Sequence, residues 1–235
     1  MKRELMTLAA TLGLTLAATA SPVGVYIDDG FNGAALDTAV WDTSYTAGTV
    51  YVQDSYVQIQ ADHSTTYMSS KTALTPGSED YYVKATATNL GFSNAWPSDI
   101  MFGLSSNPNG AGEDAYLRIG KDVGSGVMAE INGKTYKIQG LPGPTSIAEF
   151  SIVWTPTKVQ FWNGSTLWFD TSTTTPIQGG SWDIPDAGMK VFGLAYTNTL
   201  TVSADAIKYE VVPEPAMASL LLLGAAAFGL RRRRG

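Results

Sequence analysis

Between residues 21 and 211, apolar and more polar positions alternate with a period of two. Residues 81–88 follow this pattern, and so do Phe150, Ile152 and Trp154 with the polar positions between them. Such alternation places successive side chains on opposite faces of a β-strand. Many short segments of this kind are separated by Gly, Pro and Asn, and none keeps a helical period. The pattern predicts an all-β body: a two-sheet antiparallel β-sandwich of the jelly-roll type.

Two places predict β-hairpins. An Asn-Gly pair at residues 163–164 separates the strand segments 158–162 and 167–170. Asn-Gly can adopt positive φ at both central positions of a tight turn. Residues 50–60 and 66–71 are rich in Tyr, Val, Ile and Thr, and they are predicted to pair as a second hairpin.

The first 20 residues predict a secretory signal peptide. Residues 2–3 are basic, residues 5–16 are apolar, and residues 18–20 are small. This order is typical of a signal peptide and its cleavage site. We therefore expect cleavage between Ala20 and Ser21, followed by export of the rest of the chain.

The C-terminal residues predict a sorting segment with three parts. Pro213, Glu214 and Pro215 precede an apolar run at 216–230, and four arginines follow at 231–234. The run is about 15 residues long, whereas a spanning helix needs about 20. Arginines next to an apolar run stay on the cytoplasmic side. We expect an apolar helix that associates transiently with the membrane; the alternative is an anchor that is never cleaved.

These three parts resemble, in order and spacing, the PEP-CTERM tail found in exopolysaccharide-producing Gram-negative bacteria. The resemblance implies recognition by an exosortase-type transpeptidase and removal of the tail. It also implies release to the cell surface or to the extracellular polysaccharide matrix. The predicted organisation is a signal peptide at 1–20, a β-sandwich at 21–211 and a sorting segment at 212–235.

Composition narrows the possible partners. The chain has 15 Lys and Arg against 21 Asp and Glu. The signal peptide accounts for two basic residues and one acidic residue, and the tail accounts for four arginines. Residues 21–215 therefore contain 9 basic and 20 acidic residues. A body with Arg118 as its single arginine has no basic patch for nucleic acid. Cysteine is absent, so disulfides and thiol chemistry are excluded.

A second resemblance covers the body through scattered signatures. The pattern Asp-x-Phe-Asn-Gly-x-x-Leu-Asp-x-x-x-Trp at residues 29–41 is similar to the opening of concanavalin A-like domains, including laminarinase-type glycoside hydrolases. The strand ending at Trp154 with the turn at 163–164, and residues 205–209, are similar to the hairpin and closing strand of these domains. The resemblance implies a concanavalin A-like jelly roll in which the closing strand returns beside the opening segment.

No catalytic residue is predicted. Laminarinase-type relatives carry Glu-x-Asp-x-x-Glu or Glu-x-Asp-x-Glu, because a retaining glycosidase needs two carboxylates about 5 Å apart. No Glu-x-Asp occurs in this chain. The neighbours Glu79-Asp80 and Glu113-Asp114 point to opposite faces of an extended chain and are predicted to be solubilising groups. His63, in a polar turn, is predicted to be exposed rather than a base. Carboxylates distant in sequence could still converge in the fold.

Aromatic residues in turns are the candidates for sugar binding, because aromatic faces stack on sugar rings. Trp96 and Trp182 lie in turn-like contexts, with Asn94, Asp99 and Asp183 as predicted polar partners. The alternative is that both tryptophans close the ends of the sandwich. Three other tryptophans are predicted to be in the core: Trp41, Trp154 and Trp168.

A structural Ca²⁺ ion is the one predicted cofactor. In the concanavalin A-like superfamily such an ion often joins the opening segment to the closing strand, and Asp29 and Asp205 occupy matching places, with Asp28 as a helper. Calcium prefers carboxylate and carbonyl oxygens. The alternative is that the three are solvated turn aspartates.

Three functions follow from these observations. The favoured hypothesis is an exported, non-catalytic surface or matrix protein that binds extracellular polysaccharide. The second is a glycoside hydrolase or polysaccharide lyase with an unrecognised active site, which rests on fold analogy alone. The third is a purely structural coat protein without a glycan partner.

Overall fold

A computed structural model describes residues 21–45, 48–53, 55–62, 65–92, 99–120, 126–139, 146–196 and 201–214. All regular elements within these ranges are β-strands. None of the described residues forms a helix long and apolar enough to cross a membrane. The predicted signal peptide and apolar tail helix lie outside the described residues, as do His63 and Pro215.

The strands are β1 (Gly24–Asp29), β2 (Trp41–Tyr45), β3 (Gly48–Gln53), β4 (Tyr56–Ala61), β5 (Thr65–Ser70), β6 (Tyr81–Phe92), β7 (Asp99–Ser105), β8 (Asp114–Gly120), β9 (Gly126–Ile131), β10 (Lys134–Gln139), β11 (Ser146–Trp154), β12 (Val159–Asn163), β13 (Thr166–Asp170), β14 (Lys190–Tyr196), β15 (Thr201–Ala204) and β16 (Ala206–Pro213).

The strands form two antiparallel sheets. In the nine-stranded sheet, β13, β12, β11 and β6 are consecutive neighbours. The long strand β6 then pairs with β16 along one part and with β15 along another. Strand β1 pairs with β16, whereas β4 and β3 follow β15. The seven-stranded sheet has the order β10-β9-β8-β7-β14-β5-β2.

The inward faces of the sheets form one apolar core. Phe150 and Phe161 of the nine-stranded sheet are fully buried, and Phe102 of the other sheet meets Phe150 edge-on with ring centroids 6.0 Å apart. Trp41 and Trp154 are also buried, as predicted, and Trp168 packs partly buried against the core. Burial of this apolar surface is the main force that holds the two sheets together. The predicted two-sheet antiparallel sandwich is confirmed.

One predicted hairpin is wrong. Strands β3 and β4 pair with each other across a tight turn within the predicted segment 50–60. Strand β5, predicted as their partner, lies in the other sheet between β2 and β14. The composition identified both strands, but composition does not determine which strand is the partner.

The Asn-Gly turns differ from each other in register. Asn163 pairs with Thr166, so Gly164 and Ser165 are the central residues of the β12–β13 turn, and only Gly164 has positive φ, at 55°. The centre of the β12–β13 turn is therefore one residue further along the chain than predicted. Between β9 and β10, Asn132 and Gly133 have φ of 47° and 74°, which is the conformation that an Asn-Gly turn favours.

The last strand extends into the predicted sorting segment. Strand β16 runs antiparallel to β6, with Val211 opposite Val83 and Pro213 opposite Tyr81. The Glu214 amide then donates a 2.7 Å hydrogen bond to the Asp80 carbonyl. The sandwich and the tail therefore join without a flexible linker up to Glu214.

Candidate functional site on the seven-stranded sheet

Strand β8 presents a charged and aromatic row on the outer face of its sheet. Ala115 and Leu117 point into the core, so Asp114, Tyr116 and Arg118 lie on the opposite face. Glu130 of β9 is the direct cross-strand neighbour of Tyr116. Strand pairing thus brings two carboxylates, a phenol and a guanidinium together.

Glu130 is held by two donors of β8. Arg118 Nη1 lies 3.3 Å from Glu130 Oε2, and the Tyr116 hydroxyl donates to the same carboxylate. Burial raises the pKa of Tyr116 far above its usual range, and the negative charge of Glu130 raises it further. Tyr116 therefore stays protonated and remains a hydrogen-bond donor.

Asp114 lies one step further along the same face. Burial raises the pKa of Asp114 to about 6, and the charge of Glu130 contributes to the increase. Hydrogen bonds from the Asn132 and Gly133 amides oppose this increase because they stabilise the carboxylate. Asn132 N donates to Asp114 Oδ1 at 3.0 Å, and Asp114 N donates to Asn132 Oδ1 at 2.8 Å. The β9–β10 turn therefore fixes the position of Asp114.

Gly103 allows the ring of Tyr116, which belongs to this row, to pack against the ring of Phe192. Gly103 of β7 is the cross-strand neighbour of both Tyr116 and Phe192. The two rings meet edge-on with centroids 5.9 Å apart. A Cβ at position 103 would lie 2.3 Å from Tyr116 Cβ, so no larger residue fits there without movement. Both rings are almost fully buried, and they support the charged groups rather than offer an open face.

Glu113 has a structural role. Its Oε2 accepts hydrogen bonds from the amides of Asp186 and Ala187 at 2.7 and 2.8 Å, and it thereby holds the segment before β14. The prediction that Glu113 and Asp114 are solubilising groups is corrected, because both carboxylates have specific partners. The side chains of Glu113 and Asp114 do have different partners, as expected for neighbours that point to opposite faces of an extended chain.

Trp182 closes one end of the sandwich. Its ring meets Phe169 edge-on with centroids 5.1 Å apart, and its Nε1 donates to the Thr174 carbonyl at 2.9 Å. The side chain is half-buried and packs against the core. This position agrees with the alternative interpretation from sequence, in which Trp182 closes an end of the sandwich. A contact of Trp182 with sugar stays a prediction.

Of the other predicted sugar-binding residues, the structure describes Asp183 and the backbone of Asp99, which lie apart from each other. Asp183 is exposed, and its carbonyl accepts a hydrogen bond from Asn132 Nδ2 at 3.0 Å. Asp99 begins β7 at the other end of the sheet, and its side chain is outside the description. Trp96 and Asn94 lie outside the described residues. Asp99 and the Asn132 partner of Asp183 thus lie at opposite ends of the paired strands β7, β8 and β9.

The three predicted calcium ligands each face a different partner. Asp29 accepts hydrogen bonds from Phe31 N and from Trp41 Nε1, both at 2.8 Å. Asp205 Oδ2 accepts from Asn89 Nδ2 at 2.6 Å, and Asp28 is an exposed neighbour of Lys208 across the β1–β16 pair. Within the described ranges, no three His, Asp or Glu side chains come together as a metal site. A calcium ion at Asp29, Asp205 and Asp28 stays a prediction.

Solved structures of low sequence identity share this architecture. The carbohydrate recognition domain of Emp47p aligns with a TM-score of 0.54 at 9% identity, over 77% of this chain and 92% of that chain. The endo-β-1,3-glucanase of Pyrococcus furiosus aligns with a TM-score of 0.52 at 14% identity, over 81% and 95%. The β-glucanase of Bacillus licheniformis aligns with a TM-score of 0.52 at 13% identity, over 80% and 98%. The body therefore has the fold of a concanavalin A-like β-sandwich, as predicted.

The C-terminal segment is assigned by its own sequence signature. Residues 211–234 match the PEP-CTERM protein-sorting motif, which confirms the predicted tail and indicates an exported protein of a Gram-negative bacterium. No curated protein is significantly similar to the chain in sequence. The structural neighbours include both lectin-type domains and glycoside hydrolases. A related lectin domain, that of Emp46p, has both a metal-free and a potassium-bound form.

The charged row on β8 and β9 was not predicted from sequence. Asp114, Tyr116 and Arg118 lie at alternate positions, and this period could have placed them on one face. Glu130 could not have been added, because its place depends on the register between β8 and β9. That register is a property of the folded sheet.

Proposed function

We propose that this protein is an exported, non-catalytic polysaccharide-binding protein of the cell surface or the extracellular matrix, with its glycan site around Asp114, Arg118 and Glu130. The sorting motif supports export, and the fold is one that lectin-type domains use. The observation that carries the proposal is the convergence of two carboxylates and a guanidinium on one outer face. Clusters of partly buried, interacting ionisable groups are typical of functional sites.

The residues suit the recognition of sugar hydroxyls. Asp114 and Glu130 supply acceptor oxygens, and Arg118 supplies donors in a rigid planar group. Tyr116 and the Asn132 turn fix the two carboxylates in position. A preorganised polar site loses little conformational entropy when a ligand binds.

Binding is favoured over hydrolysis because of the partners of Glu130. The Arg118 guanidinium pairs with its carboxylate, and the Tyr116 hydroxyl occupies part of its acceptor capacity. Lone pairs that accept from these two donors are not available for attack on a sugar carbon or for proton transfer unless the donors move. The absence of Glu-x-Asp from the sequence supports the same conclusion.

One observation favours hydrolysis as a second candidate function. Asp114 has a pKa raised to about 6, and its neighbour Glu130 is paired with Arg118. Two neighbouring carboxyl groups in different surroundings are the arrangement that glycosidases use for acid and nucleophile. Asp114 would then protonate the leaving oxygen, and Glu130 would act on the anomeric carbon.

A glycan panel tests both candidates on the secreted protein. Retention and product release are scored for the parent, for Asp114→Asn and Glu130→Gln, and for the control Glu149→Gln, an exposed position on the opposite sheet. We expect retention without products, a loss of about tenfold or more in affinity for the two site variants, and no change for the control. Product release that depends on Asp114 would establish the hydrolase instead, and no retention of any glycan would overturn both.

The processing of the tail is a separate part of the proposal. We expect an exosortase-type transpeptidase to recognise the segment beginning at Pro213 and Glu214 during transient membrane association, after cleavage of the signal peptide at Ala20 and Ser21. Mass spectrometry of the exported form tests this. A terminus lacking residues 231–235 is expected, and an intact arginine cluster on exported protein would contradict it.

A structural Ca²⁺ ion at Asp29 and Asp205 would use carboxylate lone pairs other than those that accept from Phe31 N, Trp41 Nε1 and Asn89 Nδ2. The melting temperature in excess Ca²⁺ and in excess chelator tests this part of the prediction. An unchanged melting temperature would reject it.

A further inference from the structure

The outer face of the nine-stranded sheet carries a groove on the side of the sandwich opposite to Asp114. It has a volume of about 440 Å³ and crosses β6, β11 and β12. Gly164 and Ser165 of the β12–β13 turn border it, and Glu214 lies at its edge. Seven further residues line it: Tyr82, Lys84, Ser151, Val153, Lys158, Gln160 and Trp162.

Strand register sets these side chains in rows. Lys84 pairs with Val153, and Val153 pairs with Gln160. Two residues further along each strand, Ser151 is the cross-strand neighbour of Trp162. Because side chains two apart share a face, both rows face outward from the sheet.

A buried carboxylate orients Gln160 toward the groove. Gln160 Nε2 donates to Asp170 Oδ2 at 2.6 Å. Asp170 is 6% exposed, and its other oxygen accepts from Ser172 N and Ser172 Oγ at 2.7 and 2.6 Å. The amide of Gln160 is thus fixed through its nitrogen, which leaves the carbonyl oxygen as an acceptor for a ligand hydroxyl.

The groove holds two of the nine basic residues of an otherwise acidic body. Lys84 and Lys158 both line it. Glu210, opposite Lys84 on β16, is bonded to Lys208 at 2.8 Å, and Asp170 near Lys158 is bonded to Gln160 and Ser172. These carboxylates therefore have other partners, and the two ammonium groups can bind an anionic ligand.

Trp162 supplies an aromatic wall. It is partly exposed, and its ring lines the same groove. Its Nε1 is buried and has no hydrogen-bond partner among the described residues, so the ring meets the groove with its apolar surface. Tryptophan has a large apolar surface with a single polar handle, which suits contact with a sugar ring.

We propose that this groove is a second glycan site, specific for an acidic polysaccharide segment. A uronate carboxylate binds between Lys84 and Lys158, a neighbouring hydroxyl donates to the Gln160 carbonyl, and a sugar ring packs against Trp162. Glu214, at the edge, repels the carboxylate from that end and so gives the bound chain a direction. The ligand would lie beside the start of the sorting tail, on the face away from the Asp114 site.

Titration calorimetry of the secreted protein with oligogalacturonic acid, and with a neutral glucose oligosaccharide of equal length, tests the proposal. We expect the uronate to bind and the neutral chain to bind at least about tenfold more weakly. Lys84→Gln with Lys158→Gln should reduce uronate affinity about tenfold or more, as should Trp162→Ala. Lys137→Gln, on an exposed position of β10 in the other sheet, is the control and should change nothing.

Two further measurements separate a loss of binding from a loss of folding, and separate the groove from the Asp114 site. Lys158→Gln alone provides a milder variant, and circular dichroism and melting temperature establish that each variant is folded. Asp114→Asn should leave uronate binding unchanged, because its site is on the opposite sheet. Loss of uronate binding in Asp114→Asn but not in the lysine variants would overturn the groove and assign the ligand to the first site. Equal binding of the neutral chain, or no binding of the uronate, would also overturn it.

Discussion

Asp114 lies diagonally opposite Glu130 on neighbouring strands of the seven-stranded sheet, at a Cα separation of about 7–8 Å for such positions. Burial and the charge of Glu130 raise the pKa of Asp114 to about 6. This relationship makes the stability of the fold depend on pH in a specific direction.

The free energy of unfolding should fall between pH 4 and 6 because of Asp114. An unfolded Asp titrates near 4, so the folded protein holds more protons than the unfolded chain in this window. The stabilising contribution is present below about pH 4 and is lost above about pH 6. Asp114→Asn removes the titration and keeps an acceptor for Asn132 N. Urea unfolding of parent and variant from pH 4 to 7 should show the variant gaining relative stability with pH. A difference that does not change with pH would contradict this.

Asp29→Ala should destabilise the sandwich by about 1–3 kcal/mol. The substitution leaves Trp41 Nε1 without its acceptor and releases Phe31, whose backbone has a φ of 50°. Urea unfolding measures the loss. Asp28→Ala is the matched control, because this side chain is exposed on the other face, and it should change the stability by about 0.5 kcal/mol or less. Equal effects of the two substitutions would show that the Asp29 contacts contribute nothing.

Trp182→Ala should reduce stability by about 3 kcal/mol or more, and its effect on glycan retention in the folded fraction tests the predicted sugar contact. The reason is its packing on Phe169 and its hydrogen bond to Thr174. Trp182→Phe keeps a ring and loses the hydrogen bond, so it should have a smaller effect. Thermal unfolding and glycan retention are measured side by side. Loss of retention at unchanged stability would identify Trp182 as a sugar platform instead.

A chain that ends at Glu214 should fold, whereas one that ends at Asp205 should not. The second chain lacks β16, which pairs with both β1 and β6 and contributes the buried residues Ile207, Tyr209 and Val211. Without this central strand the edges of β1 and β6 are unpaired and their apolar faces are exposed. Cooperative thermal unfolding of the first chain and its absence in the second are expected. Cooperative unfolding of both would mean that β16 is not needed for the fold.

The alternation of residues 81–88 and of Phe150, Ile152 and Trp154 was enough to predict two strands and the face that packs in the core, because that face follows from the local period. The tail was also readable, since its three parts are contiguous. The partner of β5 was predicted wrongly, because strands of similar composition can pair in several ways. The hydrogen bonds of Asp29 to Trp41 and of Glu113 to Asp186 likewise join distant segments.

The amino-acid sequence alone determined the all-β class, the sorting motif and the absence of a Glu-x-Asp pair, since each is a local property of consecutive residues. The tertiary structure decided which strands are neighbours. It therefore decided that Asp114 meets Glu130, and that Lys84 and Lys158 share a groove with Trp162. The physical reason is that side-chain period assigns a residue to a face, whereas non-local backbone pairing and core packing select its neighbours on that face.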